Sequence, residues 1–243
     1  TYQRGLALPV MPLKDLAATF SARTANTLRS NGINWIMVRV PVWTPTPRRF
    51  EYDGFDLAAL SAIVDSAHTS MLGVTLAPVY WSGSALSTLP TVPVSATLFG
   101  QYRDLLHDFA ETAAESGADA LLLDGLFGST DVSAAEWVEV IAELRARFPG
   151  RIEVRTDEGH TGSLYLNQLD ATHLTATGDT AVHPVPDVLA ATLSAFPDKG
   201  LRFHMPDPDV YAAASMPWQP VLTRTGDIAK SLEYLSSPLL SLE

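Results

Sequence analysis

The sequence predicts an α/β fold, a (β/α)8 TIM barrel whose C-terminal closure is irregular or incomplete. Three observations carry this expectation. Strand-like and helix-like segments alternate along 243 residues without a composition break, and strict alternation implies a parallel sheet joined by helical crossovers. Eight candidate strands in this length match a barrel of about 250 residues. The glycine-rich phosphate fingerprint that often marks a doubly wound sheet, the competing fold, is absent after the first strand.

Gly5 to Val10 reads as the first strand. Residues 13 to 30 place Leu13, Leu16, Ala17, Phe20, Ala25 and Leu28 at roughly helical spacing, and Asn31-Gly32 closes that helix. Trp35 to Val42, rich in β-branched residues, is the second strand. A polar, proline-rich loop from Thr44 to Asp56 precedes a helix over 57–71. Gly73 to Val79 is the third strand, running into Tyr80-Trp81-Ser82-Gly83 and then a long Ser/Thr/Pro loop to about residue 95. A helix over 98–116 ends at Gly117. The apolar run from Ala118 is the fourth strand, leaving into a loop at Asp124-Gly125. Ser133 and Glu136 form a capping-box signature for a helix stopped by Pro149-Gly150. Arg151 to Thr156, Ala171 to Ala176 and Gly200 to Met205 are the fifth, sixth and seventh strands, with a helix over 185–196. Pro220 to Thr223 is the candidate eighth strand and Ile228 to Leu235 the last helix.

Composition narrows the function. A hydrophobic share of 47% with 18% charged residues places the chain among globular rather than disordered sequences. The formal net charge of −11 argues against a nucleic-acid partner and suits a neutral ligand. The absence of cysteine excludes disulfides and thiolate metal sites. No apolar run approaches the roughly 20 residues of a membrane-spanning helix. A strand-like segment begins almost at once, without a signal peptide. Residues 1–243 are therefore expected to be a single barrel domain cut from a longer precursor. An extracellular or cell-envelope setting is expected.

In a barrel the working face lies at the carboxyl ends of the strands. Read in order, those ends carry Arg39 to Trp43, Tyr80-Trp81, Asp124, Asp157-Glu158, Thr175 to Thr177, and His204 to Asp207. Trp and Tyr at a cleft mouth suit stacking on the apolar faces of sugar rings, or else simple packing at the rim. Arg39 stands inside an apolar strand, where a charge is costly unless paired. Asp124 across the barrel is the expected partner; holding a loop is the alternative role. His68 and His107 fall within helices, and no histidine pair has a metal-ligand spacing, so no metal or cofactor is implied. No Gly-x-Ser-x-Gly elbow is present. Lys14, Lys199 and Lys230 do not stand at strand ends, which leaves a Schiff-base aldolase without support.

With these residues assembled, the chain resembles the (β/α)8 glycoside hydrolases of the large retaining clan, endo-mannanase-like and cellulase-like families included. Asn34 to Trp43 looks like their second-strand motif with its arginine, and Asp65 to Val74 like their passage of alanine-histidine, glycine and third strand. Ala118 through Trp137 to Arg147 is similar to the fourth strand and its helix, and Lys199 to Phe203 with Pro217-Trp218 to the seventh strand and its loop. The resemblance implies two catalytic glutamates, an acid ending strand four and a nucleophile ending strand seven. The chain departs from this at both places: the matching positions hold Leu126 and Met205.

Two main expectations follow. The first is a barrel that has lost hydrolysis and binds an oligo- or polysaccharide, or serves other domains of the same precursor. Its ligand-binding residues are Arg39, Trp43, Tyr80, Trp81, Asp157, His204 and Trp218. The second is an active hydrolase with relocated carboxylates, Asp124 working with Asp207, Asp157 or Glu158. An unrelated barrel enzyme, such as an isomerase or aldolase, is a weaker third.

Overall fold

The computed structural model describes residues 5–8, 11–46, 49–51, 55–82, 85–86, 96–124, 134–156, 169–175 and 200–204, with backbone alone at several strand ends. Within them run β1 (Gly5–Ala7), α1 (Leu13–Thr19), α2 (Ala22–Ser30), β2 (Trp35–Thr46), β3 (Arg49–Glu51), α3 (Leu57–Thr69) and β4 (Gly73–Ser82). Then come β5 (Ala85–Leu86), α4 (Ala96–Ser116), β6 (Ala120–Asp124), α5 (Ala134–Arg147), β7 (Arg151–Thr156), β8 (Ala171–Thr175) and β9 (Gly200–His204).

The strands lie side by side in the order β1-β2-β4-β6-β7-β8-β9, and every neighbouring pair along that path is parallel. A doubly wound sheet must reverse its strand order once; this sheet does not, and that alternative is excluded. Winding in one direction puts the helices on one side. Val38, Val40, Leu76, Leu121, Leu123 and Val154 join residues of all five helices in one core. The intervening positions Met37, Ala77 and Leu122 form a small separate cluster with Ala7 on the other face. Period-two alternation thus divides each strand between a helix-facing side and a barrel-facing side. The expected helix over 185–196, the eighth strand at Pro220–Thr223, the last helix and the Ser133 cap lie outside the described residues.

Two expectations need correction. The single helix over 13–30 is two helices. Phe20 is extended and buried between them, and the Ser21 hydroxyl accepts from Thr24 N, capping α2. A local cap outcompetes the continuous periodicity. The loops after the second and third strands also carry structure. Both strands run longer than expected and are met by short antiparallel return strands, β3 on β2 and β5 on β4.

The helix ends share one device. After α2, α3 and α4 the chain closes with paired bonds, Ile33 N to Leu28 O with Gly32 N to Arg29 O, Leu72 N to Ala67 O with Met71 N to His68 O, and Ala118 N to Ala113 O with Gly117 N to Ala114 O. This is the Schellman arrangement, whose turning residue is left-handed. Gly32 (φ 84°) and Gly117 (φ 76°) take that position without penalty, but α3 puts Met71 there at φ 58°. Met71 is 73% exposed, so its side chain returns little packing. Met71→Gly is therefore expected to stabilise the fold by about 0.5–1 kcal/mol, read as a rise in the urea midpoint at unchanged slope. A fall in the midpoint would show that the Met71 side chain holds something beyond the turn.

Two aspartates tie the amino ends of the strands. Asp119 N donates to Val74 O, and its Oδ2 accepts from Val74 N at 2.8 Å with His68 Nε2 at 2.9 Å. Asp170 repeats the pattern: its N donates to Ile152 O, and its Oδ2 accepts from Ile152 N at 2.8 Å and Arg145 Nη2 at 2.7 Å. Each carboxylate so joins two strands and the helix leading into one of them. On the outside, Phe99 and Tyr102 of α4 meet Trp137 of α5 edge-on. Arg103 of α4 chelates Glu143 of α5, with His107 Nε2 at 2.9 Å from the same carboxylate. The hydrogen bonds from Arg103 hold the Glu143 carboxyl below the usual range, burial opposing them in part.

Candidate ligand cleft

The two faces fix where the cleft residues stand. Met37, Ala77 and Leu122 face the barrel interior, so by alternation Arg39 and Trp43 on β2, Trp81 on β4 and Asp124 on β6 hold inner-face positions. On β7, Ile152 and Val154 belong to the helix-side core, which gives the inner face to Arg151, Glu153 and Arg155.

Strand register brings three features together. Trp43 and Trp81 are direct cross-strand partners near the carboxyl ends of β2 and β4. Tyr80, expected in the cleft, is instead registered opposite Val42 of the helix-side core and so holds a helix-side position. Arg39 is half-buried, four residues before Trp43, and its Nε donates to Leu8 O at 2.9 Å, joining β2 to the exit of β1. Asp124 is registered opposite Arg155, Arg155 opposite His173, and His173 opposite Arg202, one row across β6, β7, β8 and β9. His204 stands one alternation further along, opposite Thr175.

Below that row Glu153 is completely buried, its Oε1 3.4 Å from Arg151 Nε. A carboxylate inside a barrel wall is tolerated because a cation accompanies it. Leu126, Asp157, Glu158, Met205, Asp207 and Trp218 lie outside the described residues, as does the Asp124 side chain that was expected to meet Arg39. Register gives Asp124 a nearer cationic neighbour. Arg155 is one strand away, about 4.8 Å, whereas Arg39 is two strands away.

Glu153, Arg155, His173 and Arg202 were missed in the sequence. The run Arg151-Ile152-Glu153-Val154-Arg155 alternates charge with branched apolar residues. That alternation marks one polar face, but without strand neighbours it does not say which residues share a row. Among the described residues no group of three or more His, Asp and Glu could hold a metal ion, and no helix is long and apolar enough to cross a membrane.

The architecture is similar to that of the GH113 β-mannanase of Alicyclobacillus acidocaldarius, solved in complex with ManMIm. The TM-score is 0.67 at 19% identity, over 83% of this chain and 70% of that one. A complex of a GH113 β-1,4-mannanase matches with TM-score 0.61 and 17% identity, over 82% of this chain and 70% of that one. An exo-β-1,4-mannosidase from Opitutaceae bacterium strain TAV5 gives 0.54 at 14% identity, over 89% of this chain and 50% of that one. At such identities the likeness is one of fold: the chain has an α/β TIM-barrel fold. In sequence, the exodeoxyribonuclease 7 large subunit of Parasynechococcus marenigrum (strain WH8102) is 32% identical over 126 residues, 52% of this chain. The chain spans about a third of that relative's length, 31%. No family model matches the chain.

Proposed function

We infer that this barrel binds carbohydrate without hydrolysing it. One observation carries the reading. The fourth and seventh parallel strands, β6 and β9, end at Asp124 and His204. The positions where the resembling enzymes carry their glutamates, just beyond, hold Leu126 and Met205. Retaining hydrolysis needs one carboxylic acid and one carboxylate about 5 Å apart across the scissile bond. Neither leucine nor methionine can give a proton or attack a sugar carbon. Asp124 remains, registered beside Arg155, but a single carboxylate cannot supply both roles. The Trp43–Trp81 register pair supports the binding half of the reading, since tryptophans at the carboxyl ends of neighbouring barrel strands suit sugar faces. The solved mannanases of this fold make a β-1,4-linked manno-oligosaccharide the first ligand to try. The net charge of −11 speaks against carrying the exonuclease relative's DNA over to this chain.

The test is calorimetric titration with manno-oligosaccharides beside an assay for new reducing ends. Binding is expected, weakened about ten-fold or more by Trp81→Ala, with no product above background. Release of reducing ends well above background, abolished by Asp124→Asn, would replace this reading with a hydrolase built on relocated carboxylates.

A further inference from the structure

The inner face of the described strands carries more positive than negative charge, although the chain as a whole is strongly acidic. On the parallel strands its charged positions are Arg39, Arg151, Arg155 and Arg202 against Asp124 and Glu153, an excess of two cations in a chain of net charge −11, while the return strand β3 sets Glu51 opposite Trp43. The carboxylates are not spread evenly. Glu153 accompanies Arg151, and Asp124 is registered beside Arg155. β8 and β9 contain no Asp or Glu, yet place His173 beside Arg202 with His204 one alternation beyond. As strands six and seven of the parallel series they stand four places along the sheet from β2 and β4, which hold the Trp43–Trp81 rung, and four places is the opposite wall of an eight-stranded barrel.

From this juxtaposition we propose that the cleft takes a sugar carrying an oxyanion, a uronate carboxylate or a phosphate ester, with the ring at the tryptophan wall and the anion at Arg202 and His173. The proposal rests on the carbohydrate-binding reading above and names the class of sugar. A guanidinium is suited to an oxyanion because it is always charged and offers a planar fork of donors. Low-dielectric walls around such a group concentrate its field even when the whole molecule is acidic. A neutral sugar gains nothing from these charges.

The proposal is tested by titrating the full chain with mannotriose, a mannuronate trisaccharide and mannose 6-phosphate. At least one anionic ligand is expected to bind about ten-fold more tightly than mannotriose, with the advantage shrinking as salt is raised. Which of the two does so identifies the anion as carboxylate or phosphate. Arg202→Gln is expected to remove the advantage of the anionic ligand over mannotriose, whereas Trp81→Ala weakens the trisaccharides alike. If R202Q does not fold, the charged-against-neutral comparison and its salt dependence decide the matter on the unaltered chain. Mannotriose binding as tightly as both anionic ligands overturns this proposal and leaves the carbohydrate reading standing. Absence of binding by all three overturns both.

Discussion

Phe109→Ala is expected to lower unfolding stability by about 3–5 kcal/mol, the usual range for emptying a phenylalanine site in a core. Phe109 is fully buried at the middle of α4, and its ring meets Phe55 edge-on, centroids 4.4 Å apart at 88°. Phe55 comes immediately before Asp56, whose carboxylate caps α3 by accepting from Ala59 N at 2.9 Å. The contact therefore sets where α3 begins as well as filling space between α3 and α4. Phe55→Ala is expected to cost less, because Phe55 is only partly buried. The edge-to-face term should appear as a coupling of about 0.5–1.5 kcal/mol in a double-mutant cycle, measured by urea unfolding. A Phe109→Ala cost under about 1 kcal/mol would mean that α4 repacks freely and that the α3–α4 seam is not a fixed part of the core.

The barrel order was legible because each strand faces helices with an apolar side. Ile36, Val38, Val40 and Val42, or Leu121 and Leu123, announce buried strands wherever they pair. The break at Phe20-Ser21 was not legible from periodicity, since Leu16, Ala25 and Leu28 keep helical spacing across it and only a hydroxyl cap decides the outcome. The return strands β3 and β5 were hidden for another reason. Their pairing is a backbone matter, and Arg49-Phe50-Glu51 and Ala85-Leu86 are too short to show an alternation. At the cleft, Arg39, Trp43 and Trp81 could be picked out singly, because each is unusual in its own strand. That Trp43 faces Trp81, or that Asp124 shares a row with Arg155, His173 and Arg202, is a property of register. Register depends on which strands are neighbours and on where each begins, which no single segment records. Asp119 shows the same limit. It reads as the polar start of a strand, yet its structural role is fixed by Val74 and His68, about 50 residues earlier in the chain.

Gly73→Ala is expected to cost about 3 kcal/mol, a large effect for one added methyl group. Gly73 opens β4 directly opposite Trp35 on β2. A Cβ built there would stand 2.2 Å from both Cε3 and Cζ3 of the indole, far inside contact distance. The indole cannot simply swing aside, because its Nε1 donates to Thr75 Oγ1 at 2.6 Å and Thr75 is fully buried. Moving the ring breaks that bond, and leaving the ring in place forces β2 and β4 apart, where Gly73 N donates to Asn34 O at 3.0 Å. Either route adds an unmet polar group or a broken rung to the steric cost. The glycine is thus explained by the tryptophan and not by a turn. The explanation makes a reciprocal demand. In a Trp35→Ala background the ring is gone, and Gly73→Ala should become neutral or mildly stabilising, since an alanine orders a strand better than a glycine does. The two changes should therefore be non-additive by about 3 kcal/mol in a cycle of urea midpoints, a value at the upper end for residues in direct contact. Equal cost for Gly73→Ala in both backgrounds would exclude the indole as the cause and point instead to the backbone of β4 itself.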